Sequence, residues 1–103
     1  MLPPLVPFAD AKTHLRITDT AHDAEVTQKL ALASAIIRDY LKDRADETWD
    51  EATTPEPVQA ATLYLLAGLY EHRGEDFAPD DYDAALWAAI ERLLVRFRDP
   101  ALA

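Results

Sequence analysis

The side chains able to do chemistry are few and scattered along the chain. His14, His22 and His72 are the only histidines, and none forms the i, i+4 pair with which a helix holds zinc. Exposed or capping positions suit them better than ligand roles. Glu75, Asp76, Asp80, Asp81 and Asp83 crowd enough carboxylate to attract a hard cation. The alternating acidic order and sharp glycine turn of a calcium loop are missing from them, however. A solvated acidic loop is the better reading, and a carboxylate-dependent metal enzyme the one it displaces. Ser34, the only serine, lies among alanines without the glycine-rich elbow that activates a nucleophile, which makes it a small packing residue. Asp46 and Asp50 would serve acid–base work only if one were desolvated in a cleft, which a polar loop does not promise. With no phosphate-cradling glycine loop either, the expectation is a protein that is not an enzyme, with no catalytic residue, no cofactor and no metal.

The elements that carry these residues are set by composition. The chain has 103 residues, half of them apolar, with 19 acidic against 10 basic side chains and no cysteine. That length suits one domain, residues 1–103, with a single modest core. Lack of cysteine excludes a disulfide framework and any zinc-thiolate or iron–sulfur site. The net charge of −9 opposes sequence-independent nucleic-acid binding, which depends on Lys and Arg displacing counterions from phosphates. No uncharged apolar run approaches the ~18 residues that span a bilayer. Residues 1–8 are apolar but lack a basic start and cleavage site, and are read as an ordered arm.

Nineteen alanines against two glycines favour helix, because alanine loses no side-chain entropy on coiling. The expected fold is all-α, a small bundle of about four helices, one short and N-terminal and three longer. Phe8, Ala11 and Leu15 predict the short one over about 9–16, stopped by the β-branched Ile17-Thr18. Thr20 is placed to cap a second helix to about Lys42, with Val26, Leu30, Ala33, Ile37, Tyr40 and Leu41 as its stripe. Residues 43–54 read as a loop whose one large apolar side chain, Trp49, pins it to the core or faces a partner. Thr54-Pro55 predicts the cap and first residue of a third, central helix carrying Val58, Ala61, Leu65, Leu66 and Leu69, closed at Gly74. The last helix, about Tyr82 to Arg98, sets Leu86, Ile90, Leu93 and Phe97 on one face, with Trp87 and Leu94 adjacent; Asp99-Pro100 ends it and leaves a short tail over 99–103. The aromatic residues Trp49, Trp87, Tyr64, Tyr70 and Phe97 exceed the needs of one narrow seam, so some are candidates for a subunit interface.

In this order the segments resemble the head-to-tail connector, or adaptor, proteins of long-tailed bacteriophages and related gene-transfer particles. The matching pieces begin with Asp10-Ala11-Lys12-Thr13-His14-Leu15-Arg16-Ile17 and the helix from Asp23 to Ile36-Ile37-Arg38-Asp39-Tyr40-Leu41. They continue with Pro57-Val58-Gln59-Ala60-Ala61 through Leu69-Tyr70-Glu71-His72-Arg73, and end with Leu93-Leu94-Val95-Arg96-Phe97-Arg98. The chain departs from the family's Leu-Pro and glycine turn before the last helix, having Ala78-Pro79-Asp80-Asp81-Tyr82 instead. The resemblance implies a structural subunit that forms a ring under the portal protein, extends the DNA channel and docks a stopper or tail-completion protein. It further implies a place in the virion neck, host cytoplasm during assembly, and no membrane. DNA would pass without tight binding, since an acidic lumen repels phosphate. Carried over by position, Lys12, Arg16, Tyr70 and Arg73 fall in the family's motifs and Arg96, Phe97 and Arg98 in its portal-facing end. With Trp49 they make up the expected protein interface. Arg16 or Arg73 is expected to form an ion pair, because guanidinium grips a carboxylate in a fixed two-pronged geometry. The rival class is a cytosolic regulatory adaptor that takes one helix or peptide in an apolar groove.

Overall fold

The computed structural model describes residues 2–42, 45–72 and 81–98, with side chains described outside 71–72, 81–84 and 96–98. Four helices follow one another: α1 (Phe8–Leu15), α2 (Asp23–Leu41), α3 (Glu56–His72) and α4 (Asp81–Arg98). The protein is a small all-α bundle with a short first helix, 69% helical, with no strand among the described residues.

Helices α1, α2 and α3 each begin on a backbone carbonyl. Pro7 accepts from Ala11 N–H at 3.0 Å, His22 from Val26 at 2.9 Å and Pro55 from Gln59 at 3.0 Å. The two threonines expected as caps do not open these helices through their hydroxyls. At the start of α2 no side chain caps the helix; the Thr20 carbonyl accepts from Asp23 N–H and the Asp19 carboxylate accepts from Ala21 N–H. Thr54 turns its hydroxyl back to donate to the Asp50 carbonyl, and Pro55 stands just outside α3 rather than at its first position. The acids Asp23 and Glu25 in the first turn of α2 still meet the positive end of its dipole, as does Glu56 in α3.

Helix α3 is central: α2 and α4 pack chiefly on it and little on each other, and α1 lies across α2 and α3. Val26, Leu30, Ala33, Ile37 and Leu41 of α2 are buried against Val58, Ala61, Leu65 and Leu66 of α3 in one cluster. Among the described side chains of α4 the fully buried ones are Ile90 and Leu94, so its core face there is centred between the two rows that periodicity picks out; Phe97 lies outside the described side chains. The N-terminal arm belongs to this core. Leu5 and Val6 are as buried as any helix residue. Leu5 N–H donates to Ser34 Oγ at 3.1 Å, and its carbonyl accepts from Gln59 Nε2 at 3.4 Å, so α2 and α3 each satisfy one backbone group of the arm. Ser34 is therefore more than a small packing residue.

The loop before α3 is held by short-range hydrogen bonds and one anchor. Trp49, 9% exposed, is buried in the core cluster. Thr48 donates to Asp46 from its hydroxyl at 2.7 Å and its amide at 2.8 Å, while Asp50 accepts from the Ala52 and Thr53 amides and the Thr53 hydroxyl. These bonds favour the charged form and hold both carboxyls below the ordinary aspartate value. Groups with depressed folded-state values stabilise the loop above the unfolded value of about 3.9, and that contribution is lost as pH falls through the lower folded value. In an NMR titration both carboxyls are therefore expected to titrate below about 3.9, with the Thr48, Ala52 and Thr53 amide shifts moving alongside them. Midpoints above that value would disprove the turn geometry.

Candidate functional site

The C-terminal end of α1, the start of α2 and the end of α3 converge. Lys12 Nζ stands 2.8 Å from Asp23 Oδ1, donates to the Asp19 carbonyl at 2.6 Å and lies 5.7 Å from the centre of the Phe8 ring. The approach to Asp23 is an ion pair by distance but off-axis, leaving that buried oxygen without a well-aligned hydrogen bond. One turn away in space, His22 meets the Tyr70 ring edge to face at 6.4 Å and lies 3.8 Å from Glu25. Lys12 and Tyr70, far apart in sequence, are thus joined through His22 and Asp23. With its side chain 16% exposed, Lys12 is engaged inside the subunit.

Arg16 sits beside this cluster in a conformation unusual for its type. Arg16 N–H donates to the Thr13 carbonyl and Ile17 N–H to the Lys12 carbonyl, the paired bonds of a Schellman helix stop. The residue at that stop must be left-handed, and Arg16 has φ 61° and ψ 37° where glycine is the usual choice. Its side chain is exposed, and no carboxylate among the described residues pairs with it. Among the described residues Arg16 is thus an exposed cation without a carboxylate partner, held in a conformation that costs about 1–2 kcal/mol.

The other expected interface residues are distributed differently. Trp49 lies in the α2–α3 loop with its side chain in the core. Arg73 lies outside the described residues. Arg96, Phe97 and Arg98 close α4, and their side chains are outside those described. The acidic run from Glu75 to Asp83 also falls outside the described side chains, and among those described no cluster of His, Asp or Glu could hold a metal ion. No helix among the described residues is long and apolar enough to cross a membrane.

A second surface has no single motif behind it. A groove of about 780 Å³ runs between the N-terminal arm and one flank of α2, walled by Leu2, Pro4 and Phe8 and floored by Leu30, Ala31 and Ala35. Arg38, Asp39 and Lys42 line its far end. Arg38 Nη2 donates to the Trp49 carbonyl at 3.1 Å, but its Nε is buried without a partner. Burial pushes this guanidinium below its usual value. The groove exists because the arm is strapped across α2, so helix periodicity alone could not reveal it. Its one sequence signal is the exposed row Thr27, Ala31 and Ala35 beside the core stripe.

These features define a small helical bundle with an exposed arginine at one end and a groove along one flank. Residues 8–86 match the family of phage gp6-like head-tail connector proteins, and the chain belongs to that family. The family's role is structural, as a connector between phage head and tail, which implies contact with other virion components. The match ends within α4, so residues 93–98 lie beyond it. No curated protein and no solved structure matches the chain.

Proposed function

We propose that copies of this protein form a ring beneath the portal of the filled head, continue the DNA channel and present a platform to a stopper or tail-completion protein. The observation that carries this reading is the family membership, which spans α1 to α3 and the start of α4. Exposed Arg16 at the helix stop supports it, as a cation with no carboxylate partner among the described residues. In this reading Arg16, Tyr70, Arg73 and the 96–98 end face partners, while Lys12 and Trp49 act from within by holding those surfaces in place. The charge of −9 suits a channel that DNA must traverse without adhering. Assembly takes place in the bacterial cytoplasm, and the finished ring stands in the virion neck.

The test is affinity capture of a tagged copy from its source cells under particle-producing conditions, with mass spectrometry of what co-purifies. Recovery of a portal or tail-completion protein is expected. Recovery of a host protein alone, with none of this chain in purified particles, overturns the reading in favour of a regulatory adaptor. Arg16→Gly sharpens the experiment. Glycine relieves the left-handed cost of about 1–2 kcal/mol but removes a cation worth about 0.3–1 kcal/mol from the end of α1, and the two effects oppose each other. Thermal stability should therefore stay within about 1 kcal/mol of the parent, while portal recovery falls. Unchanged recovery would remove Arg16 from the interface.

A further inference from the structure

The groove along α2 is incomplete on its own. Its alanines, Ala31 and Ala35, leave room for a second helix to approach closely, and helix axes separated by small side chains settle about 8 Å apart. Arg38 gives the groove a chemical preference. Its buried Nε has no partner, and among the described residues no carboxylate pairs with the guanidinium. Arg38 lines the groove, so a carboxylate delivered from outside would pair with the accessible part of its guanidinium.

A matching surface lies on the same chain. Ala85, Ala88, Glu91, Arg92 and Val95 are exposed and share one face of α4, opposite the buried Ile90 and Leu94; Val95 is 41% exposed. Neither Glu91 nor Arg92 has an ion-pair partner among the described residues. At 1.5 Å per residue this face runs about 15 Å, and the groove from Thr27 to Lys42 about 22 Å. Helix α4 cannot fill the groove of its own subunit. The Tyr40 and Trp87 rings, 5.7 Å apart, place α4 against one flank of α2. Tyr40 is roughly half a turn around the helix from the row that includes Ala31 and Arg38.

We propose that the exposed face of α4 in one copy docks antiparallel into the groove between the N-terminal arm and α2 of the next copy, with Glu91 meeting Arg38. In that register Val95 falls over Ser34, between Ala31 and Ala35, at the apolar end of the groove. A parallel arrangement would set Val95 against Lys42 instead. Because groove and helix face are different surfaces, the contact is head-to-tail and propagates from copy to copy, closing into a ring when the rotation closes. This inference rests on the ring reading above and names the two surfaces that would build it.

The cysteine-free chain allows disulfide trapping without background. Ala35→Cys and Val95→Cys are introduced singly and together into the full chain, which is oxidised mildly at rising concentration, and products are identified by non-reducing gels and peptide mass spectrometry. The double variant is expected to give a ladder, and a mixture of the two single variants a 35–95 dimer. Glu91→Arg, at an exposed position, should reduce trapping roughly tenfold or more, and adding Arg38→Glu should restore it. Dominant 35–35 or 95–95 products would overturn the proposal. So would oligomers seen by sedimentation velocity that show no 35–95 linkage, an outcome that leaves the ring reading standing. A chain that stays monomeric and untrapped overturns the docking, and portal capture then decides the ring separately.

Discussion

Replacing Leu5 and Val6 together by alanine is expected to destabilise the protein by about 3–6 kcal/mol, a large share of the 5–15 kcal/mol typical of a domain. Both side chains are fully buried in the core cluster, although they precede the first helix. Leucine-to-alanine substitutions in cores cost about 2–5 kcal/mol, and the smaller valine adds less than a second leucine would. Adjacent sites share the cavity they leave, so the two costs will not sum exactly as independent terms. The backbone bonds from Leu5 to Ser34 and Gln59 survive the substitution, which isolates packing from hydrogen bonding. Thermal unfolding gives the readout, at about 4–8 °C per kcal/mol for a domain near this size. A loss below about 1 kcal/mol would mean that the arm only rests on the bundle. A large loss has a second consequence. The arm forms one wall of the α2 groove, so the double variant should also lose the 35–95 disulfide product under conditions where it remains folded.

Helix positions were legible because periodicity is local: the stripe from Val26 to Leu41 and the row from Val58 to Leu69 each follow from one surface facing one neighbour. Starts and stops were less so. Thr20 and Thr54 had the chemistry of caps, yet backbone carbonyls opened the helices while Thr54 was drawn to the Asp50 carbonyl, a choice made by loop geometry. The left-handed stop at Arg16 lacks the glycine that would announce it. Ser34 looked inert because its partner, Leu5 N–H, lies 29 residues away, and Gln59 reaches Leu5 across 54. Of the expected interface, the Lys12–Asp23 and His22–Tyr70 contacts depend on three helix ends meeting, which no single segment encodes. The groove was hidden for the same reason, since its walls come from the arm and its floor from α2. Family motifs therefore picked out Lys12 and Tyr70, which the fold joins through His22 and Asp23, before any local rule explained their contacts.

Trp49→Ala decides between the two roles open to that residue. Buried at 9% exposure in the core cluster, the ring should cost about 3–5 kcal/mol when truncated, with the proposed portal capture affected only through loss of fold. An interface role predicts the reverse, little change in unfolding temperature and loss of portal capture. Trp49→Phe provides the control: it keeps an aromatic ring in the site, and its cost should be well under half that of alanine. The comparison also reaches the groove. The Trp49 carbonyl accepts from Arg38 Nη2, so the anchored loop fixes one side of the guanidinium while Nε stays unpartnered. If the ring is the anchor, truncating it lets the loop shift and Arg38 lose its fixed orientation. Under conditions where Trp49→Ala is still folded, trapping between positions 35 and 95 should then become insensitive to Glu91→Arg. Retained sensitivity would show that Arg38 is oriented by α2 alone.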